Sequence, residues 1–205
     1  MFSKHDMSIL HKTKQKFVKK LIKGIDPKLF DHYTSRVKTN ESIKNKLRKK
    51  NIPVSCENAI ENLNDVIGIR IITHYTEEIY TIIDYIKQNY DVVLEKDYIK
   101  NPKENGYRSY HIIVKAPIIQ PKKDFSYAED INIEIQIRTM GMDFWASIEH
   151  YMFYDKKKKN RYISNIDMSY IQQQMASDAR KIFDIDMHMQ QIRHNILMLQ
   201  NAQAT

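Results

Sequence analysis

The chain has 205 residues, a formal net charge of +8, four glycines and a single cysteine. The length suits one domain, and the lone Cys56 excludes an internal disulfide framework. No apolar run is long enough for a membrane span or a secretion signal, so we expect a cytoplasmic protein. The positive charge fits a nucleotide, a nucleic acid or an acidic membrane surface, and it does not choose among them.

The four glycines form neither of the common phosphate-binding motifs, G-x-x-x-x-G-K-[ST] and G-x-G-x-x-G. A glycine-rich cradle for phosphate is therefore excluded. If the protein binds nucleotides, it must bind their phosphates with side chains.

The N-terminal part of the chain is predicted to be helical. Residues 3–23 predict a basic helix with a short apolar stripe at Leu10, Phe17 and Leu21. Asp26-Pro27 marks a break. Residues 28–50 are predicted to be helical in two pieces.

Alternating apolar residues predict strands further on. Residues 66–74 form a strand with isoleucines on one face, followed by a helix at 76–89 and strands at 91–99 and 107–115. In the last of these, Tyr107, Ser109 and His111 are expected to share one face.

The strand at 131–138 is the most informative. Isoleucines alternate strictly with Asn132, Glu134, Gln136 and Arg138, so one face is aliphatic and the other polar. A solvated outer face would explain this pattern. The presence of an acid, an amide and a base in a row favours a functional site.

The C-terminal part is predicted to contain two helices. The first spans about 140–154, and the lysines at 156–159 are interpreted as a solvated loop. The second, at 167–200, carries two heptad series: Met168, Met175, Ile182, Met189 and Ile196, and Ile171, Asp178, Ile185, Ile192 and Leu199. This seam favours a contact between subunits, although packing on its own domain would also account for it.

Five segments, in order, resemble the synthetase domain of the RelA/SpoT family. They are the R-x-K-x-x-x-S-x-x-x-K element from Arg36 to Lys46, D-x-x-G-x-R from Asp65, K-D-Y-I to N-G-Y-R-S-x-H from Lys96 to His111, E-x-Q-I-R-T from Glu134, and W-A-x-x-E-H from Trp145. The short chain resembles a small alarmone synthetase. His5-Asp6 is interpreted as an exposed dipeptide and not as part of a hydrolase domain.

The resemblance implies an α+β fold with a mixed sheet flanked by helices, similar to nucleotidyltransferases. It implies one synthetase domain over 1–205 with its catalytic core at about 25–155. The implied reaction moves pyrophosphate from ATP to the 3′-hydroxyl of GDP or GTP with Mg²⁺ as cofactor, in a homo-oligomer that is expected to be a tetramer.

The resemblance also implies roles for individual residues. Asp65 and Glu134 are the expected Mg²⁺ ligands and catalytic acids, and Glu134 is also a candidate base. The expected ATP-binding residues are Arg36, Lys38, Ser42, Lys46 and Arg70. The expected GDP- or GTP-binding residues are Lys103, Asn105, Tyr107, His111 and Gln136, with Tyr107 stacking on guanine. Trp145 is expected to support the site by packing.

Two other functions remain open from the sequence. One keeps the fold and uses the 3′ end of tRNA as the acceptor, which the basic N-terminal helix could bind. The other is a non-catalytic RNA-binding module. The stretch from Lys96 to His111 argues against the first, and the acids Asp65 and Glu134 argue against the second, because acids in a phosphate groove weaken binding without a metal.

Overall fold

A computed structural model describes residues 1–119, 127–159 and 165–203, with the side chains of 154–159 and 165–166 left out. Its centre is a five-stranded mixed sheet in the order β1-β2-β5-β4-β3. Only β2 and β5 run parallel; the other neighbours are antiparallel. The strands are β1 His32–Val37, β2 Ile67–Thr73, β3 Asp91–Asp97, β4 Tyr110–Pro117 and β5 Asp130–Thr139.

Six α-helices surround this sheet in the described ranges: α1 Lys4–Gly24, α2 Asn40–Lys49, α3 Cys56–Asn62, α4 Thr76–Asn89, α5 Met140–Lys159 and α6 Asn165–Gln203. Helix α3, which the sequence analysis did not assign, begins at a cap where Ser55 accepts a hydrogen bond from the backbone of Asn58. None of the described helices combines the length and apolar character that a membrane span requires.

The two faces of the sheet have different surroundings. The isoleucines of β2 and β5 are almost fully buried and join residues of α1 and α4, such as Leu10 and Ile82, in one apolar core. The opposite face carries the polar residues of the same strands. Because side chains alternate along a strand, covering one face leaves Gly68, Arg70, Glu134 and Gln136 on the other.

The structure differs from the sequence prediction in the segment before α2. The first half of the predicted helical region 28–50 is wrong: Pro27–Leu29 forms one 3-10 turn and His32–Val37 forms β1. The β-branched and aromatic residues of this segment suit an edge strand, and pairing with β2 satisfies its backbone. Arg36 is therefore a strand residue and not a helical one.

The predicted strand at 107–115 starts later, at Tyr110. Tyr107 lies in a turn, since its backbone N–H donates to Asn105 and its carbonyl accepts from Lys103. The prediction that Tyr107, Ser109 and His111 are strand residues is therefore wrong for the first two. The three side chains still meet on one side, since the Tyr107 hydroxyl contacts His111 and Arg138 donates to both Tyr107 and Ser109.

The helix predicted at 140–154 continues to Lys159, so the lysines at 156–159 do not form a loop. Neither glycine nor proline occurs between Met142 and Lys159, and lysine is a good helix former.

Helix α1 begins at a capping box rather than at an exposed dipeptide. Asp6 is only 5% exposed and its carboxylate accepts from the backbone N–H of Ser3, while the Ser3 hydroxyl accepts from the backbone of Asp6. The prediction of an exposed His5-Asp6 pair is wrong for Asp6, whose role is structural.

Helix α6 has two different halves. Met175 and Ala179 in its first half are buried against Trp145 of α5, and the Trp145 indole donates to the Met175 carbonyl. In its second half Ile185, Met189 and the apolar residues beyond them are exposed within the single chain. The heptad seam therefore packs on its own domain at one end only.

Gly106, in the loop before β4, lies in close contact with helix α6. Its φ is +88°, and a Cβ at this position would lie 2.5 Å from the Ala179 Cβ and 2.8 Å from the Ala176 Cα. Only glycine combines the positive φ with this close approach.

We expect Gly106→Ala to lower the free energy of unfolding by about 1–3 kcal/mol, because the new methyl group meets α6 and the backbone is strained. Gly68→Ala is the matched control, since a Cβ added there meets no atom of the described residues within 4 Å. Urea denaturation of both variants checks this. Equal stabilities would show that the loop does not need this contact.

Candidate functional site

The polar face of the sheet forms one cleft with two lobes. The first, which we call the β1–β2 lobe, has a volume of about 210 Å³ and is lined by Thr34, Arg36, Asp65, Gly68, Arg70, Glu134 and Gln136. The second, the β3–β4 lobe, has a volume of about 270 Å³ and is lined by Lys46, Lys50, Asp65, Lys96, Tyr98, Lys103, His111 and Glu134. Asp65 and Glu134 line both lobes, so the two carboxylates lie where the lobes meet.

Asp65 is held between two lysines. Its Oδ2 lies 2.5 Å from the Nζ of Lys38 and 2.7 Å from the Nζ of Lys46. Burial acts to raise the pKa of Asp65, but the hydrogen bonds and charges of the two lysines outweigh it and hold this pKa below its usual value. Burial lowers the pKa of Lys38 despite its bond to Asp65.

Glu134 is contacted at both carboxylate oxygens. His111 Nδ1 lies 3.2 Å from Oε1, and Gln136 Nε2 donates to Oε2 at 2.9 Å. Burial acts to raise the pKa of Glu134, but His111 and Gln136 together hold it below its usual value. Glu134 is therefore an ionised carboxylate that is oriented before any ligand binds.

The two oxygen-bearing residues at the junction are suited to a hard cation. Oδ1 of Asp65 is buried and has no hydrogen-bond partner among the described residues. No cluster of three or more His, Cys, Asp or Glu side chains in the described ranges could hold a metal by itself. Mg²⁺ needs only one or two protein carboxylates when phosphates and water complete its shell. Asp65 and Glu134 fit that requirement.

Two arginines lie side by side in the β1–β2 lobe. Arg36 pairs with Gly68 and Thr34 pairs with Arg70, so both guanidinium groups extend from the same face of adjacent strands. Nη1 of Arg70 lies 3.2 Å from Oδ1 of Asp143. Burial and the nearby charge of Arg138 lower the pKa of Arg70, which nonetheless stays charged at any ordinary pH.

Tyr107 lies behind the β3–β4 lobe, where both its hydroxyl and its ring have partners. Its hydroxyl is 2.8 Å from Nε2 of His111 and accepts from Nη2 of Arg138 at 2.6 Å. The Lys103 ammonium lies 4.5 Å from the centroid of its ring, on which it makes a cation–π contact. The Tyr107 ring also meets the edge of Trp145.

Not every predicted residue lies in the cleft. Asn105 shapes the turn before Tyr107 and donates to Glu149 at 3.5 Å. Ser42 lies in the first turn of α2, where its hydroxyl accepts from Thr39 at 2.9 Å, and it is not among the residues that line the two lobes. The structure thus brings together the predicted acids, cations, Tyr107, His111 and Gln136, and leaves Asn105 and Ser42 at the margins.

Sequence reasoning missed the contribution of Arg138. Its side chain is 5% exposed and forms an ion pair with Asp143 at 2.9 Å. The guanidinium also donates to Ser109, Tyr107 and Gln136. The available signal was its place in the E-x-Q-I-R-T segment, on the same strand face as Glu134. Its contacts with Tyr107 and Ser109, which lie 31 and 29 positions away, could not be read from the sequence.

A family model described as "Region found in RelA / SpoT proteins" matches residues 35–159. The chain belongs to this family. It is 43% identical over 136 residues to GTP pyrophosphokinase YwaC of Bacillus subtilis, a match that covers 65% of this chain and 62% of YwaC. It is 36% identical over 174 residues to GTP pyrophosphokinase YjbM of the same organism, covering 83% of this chain and 74% of YjbM.

Solved structures give the same assignment. The crystal structure of small alarmone synthetase 1 from Bacillus subtilis bound to its product pppGpp has a TM-score of 0.75 at 29% identity, covering 92% of this chain and 94% of that one. Small alarmone synthetase 2 from Bacillus subtilis has a TM-score of 0.76 at 32% identity, covering 94% and 99%. The predicted family and the predicted α+β synthetase fold are confirmed.

Proposed function

We propose that this protein transfers pyrophosphate from ATP to the 3′-hydroxyl of GDP or GTP, giving ppGpp or pppGpp and AMP. The observation that carries the proposal is the cleft with two lobes that meet at Asp65 and Glu134. A transfer between two nucleotides needs two binding lobes with the reacting groups at their junction. The relatives named GTP pyrophosphokinase support the same reaction.

ATP occupies the β1–β2 lobe in this proposal. Arg36 and Arg70 flank the adenine, because planar guanidinium groups on adjacent strands offer stacking surfaces. Lys38 and Lys46 at the junction bind the phosphates. Ser42 in the first turn of α2 is a further phosphate contact. With no glycine cradle in the chain, these side chains carry the whole phosphate charge.

GDP or GTP occupies the β3–β4 lobe. Tyr107 stacks on guanine through the ring face that Lys103 now covers, and Lys103 moves to a phosphate. His111 and Gln136 face the junction and contact the ribose or its phosphate. Asn105 acts by shaping the turn that presents Tyr107.

The chemical step follows from the junction. Glu134 accepts the proton of the 3′-hydroxyl, the oxygen forms a bond to the β-phosphorus of ATP, and the bond from that phosphorus to the oxygen of the α-phosphate breaks, releasing AMP. Asp65 and Glu134 would hold Mg²⁺, which when bound neutralises negative charge on the phosphates. Lys38 and Lys46 lie beside the same position and stabilise the charge that develops during transfer.

The alternatives from the sequence are less well supported by this geometry. A module that only binds RNA gains nothing from two ionised carboxylates at the base of its cleft. A tRNA acceptor would not require the β3–β4 lobe lined by Lys103, Tyr98 and His111. The cytoplasmic location stays a prediction from the sequence.

We expect Glu134→Gln to lower product formation by at least about 100-fold, because a positioned base contributes 10²–10⁴. The purified protein is given ATP with GDP, with GTP or with tRNA, and the products are separated by chromatography. Glu61→Gln, at an exposed position of α3, is the control and should keep full activity. Near wild-type turnover in Glu134→Gln would remove Glu134 from catalysis, and label only on tRNA would favour the other acceptor.

We expect Tyr107→Ala to raise the KM for GDP or GTP tenfold or more and the KM for ATP less than threefold. Stacking on an aromatic ring contributes about 1–3 kcal/mol per base. Steady-state kinetics with each substrate varied in turn checks this. Tyr107→Phe keeps the ring and should keep the acceptor KM. A similar rise for both substrates in Tyr107→Ala would show that Tyr107 only supports the fold.

We propose in addition that the protein is a homo-oligomer, with a tetramer as the expected form, assembled partly through the second half of α6. Ile185 is 62% exposed, Ile196 49% and Leu199 65% within the single chain. These residues belong to the heptad series, and an apolar stripe of this length requires a partner surface. A second copy of the chain presents the same stripe.

We expect Ile192→Glu with Ile196→Glu to lower the molar mass measured by light scattering after gel filtration, because the charges lie on the stripe. Gln191→Glu with Asn195→Glu adds the same charge at exposed polar positions of the same turns and is the control. A wild-type mass of 24.5 kDa, that of one chain, would refute the assembly. An unchanged higher mass in the double isoleucine variant would place the contact elsewhere.

A further inference from the structure

Hydrogen bonds connect Arg138 to both oxygens of Glu134. On one side, Arg138 Nη2 donates to the Tyr107 hydroxyl at 2.6 Å, that hydroxyl lies 2.8 Å from His111 Nε2, and His111 Nδ1 lies 3.2 Å from Glu134 Oε1. On the other side, Nη2 donates to Gln136 Oε1 at 3.0 Å, and Gln136 Nε2 donates to Glu134 Oε2 at 2.9 Å. We call this closed circuit of five side chains the Arg138 ring.

The chemistry of arginine sets the direction of these bonds. A guanidinium group has only donors, so the oxygen atoms of Tyr107 and Gln136 must accept from it. The Gln136 amide then presents its NH₂ to Glu134. On the other path, a carboxylate accepts from Nδ1–H of His111, and in the neutral imidazole Nε2 is left to accept the hydroxyl proton of Tyr107. Both paths therefore begin at donors of Arg138 and end at acceptors of Glu134.

We propose that Arg138 is a positioning residue that orients the Glu134 carboxylate through both paths and fixes the Tyr107 hydroxyl through one of them. It acts through other residues and touches neither substrate. The proposal rests on the role of Glu134 in the proposed function. It adds that the orientation of this carboxylate depends on a guanidinium group in the layer behind it.

The surroundings of Arg138 explain how it can hold two neighbours at once. Its side chain is 5% exposed, Nη1 is ion-paired with Asp143 at 2.9 Å, and Nε donates to Ser109 at 3.3 Å. All three nitrogens of the fork are therefore in use, which leaves the group a single orientation. A lysine has one nitrogen and cannot reproduce these four contacts.

Asp143 contacts both Arg138 and Arg70, and this determines which kinetic constants should change when Arg138 is lost. The same Oδ1 atom also binds Nη1 of Arg70 at 3.2 Å. Without Arg138, Asp143 keeps Arg70 as its partner, so Arg70 of the β1–β2 lobe keeps its ion pair. A positioning role in the Arg138 ring therefore predicts an effect on turnover and on the acceptor, with little effect on ATP binding.

The first test is kinetic, with Arg138→Lys. We expect kcat to fall by about 100-fold, the loss that small misplacements of catalytic groups cause, while the KM for ATP changes less than threefold. Arg108→Lys is the matched control. That arginine is also partly buried and bonds to the Ile99 carbonyl and the Phe183 ring, outside the Arg138 ring. It should keep kcat within about threefold. Unchanged kcat in Arg138→Lys would overturn the proposal.

A double-mutant cycle separates positioning from general loss of structure. Tyr107→Phe cuts one path and keeps the aromatic packing. If Arg138 acts through this path, adding Arg138→Lys to Tyr107→Phe lowers kcat by clearly less than the product of the single effects. Fully multiplicative losses would show that Arg138 acts in some other way.

The second test does not depend on activity. The ring-nitrogen NMR shifts of His111 in the wild-type protein should show a protonated Nδ1 and a bare Nε2, and Tyr107→Phe should change this pattern. A protonated Nε2 in the neutral imidazole of wild-type His111 would overturn the proposal, even if no variant of Arg138 folds. If the wild-type protein forms no product from ATP and GDP or GTP, the proposed function fails, while the NMR result still decides whether the Arg138 ring exists.

Discussion

The site depends on the fact that only one face of strands β2 and β5 is buried in the main apolar core. Strand β5 lies between β2 and β4, with isoleucines in the core and Glu134, Gln136 and Arg138 on the other side. A shift of β5 by one residue would exchange the two faces, so burial of the isoleucines fixes the register of the polar residues. The same burial that stabilises the fold therefore places Glu134 opposite Gly68 and beside His111.

The cations of the cleft share carboxylates before substrates bind. Asp65 pairs with both Lys38 and Lys46, and Asp143 pairs with both Arg70 and Arg138, so positive charge remains in excess. Partly buried cations of this density would repel one another without such carboxylates, and removing one partner of a buried pair is costly. The phosphates of a nucleotide offer these lysines a second set of negative charges. In the proposed function, the phosphates would take over the two lysines, and the Asp65 carboxylate would be free to hold the Mg²⁺ that accompanies them.

The sequence predicted strands correctly where apolar and polar residues alternate strictly. The alternation in β5 and β2 predicted both strands and the face of Glu134 and Arg70, because one face of each is apolar. Strand β1 has no alternation of apolar and polar residues, because most of it lies exposed at the edge of the sheet. Its sequence therefore predicted a helix instead of a strand. The alternation also placed Arg138 on the polar face, but it did not reveal what Arg138 contacts there. Its contacts include Tyr107, 31 positions away, and Asp143, 5 positions away. Such contacts follow from the packing of loops and helices, which residue spacing does not reveal.

The two halves of helix α6 are under different constraints within the chain. Its first half needs small side chains at Ala176 and Ala179, because the loop at Gly106 lies in contact with the helix there. This loop carries Tyr107, whose ring also packs against Trp145, and Trp145 in turn bonds to the α6 backbone. The position of the proposed guanine platform is therefore fixed by α6 as well as by Arg138. The second half of the helix is free of this constraint, and in the proposed oligomer its exposed apolar residues would meet another copy of the chain.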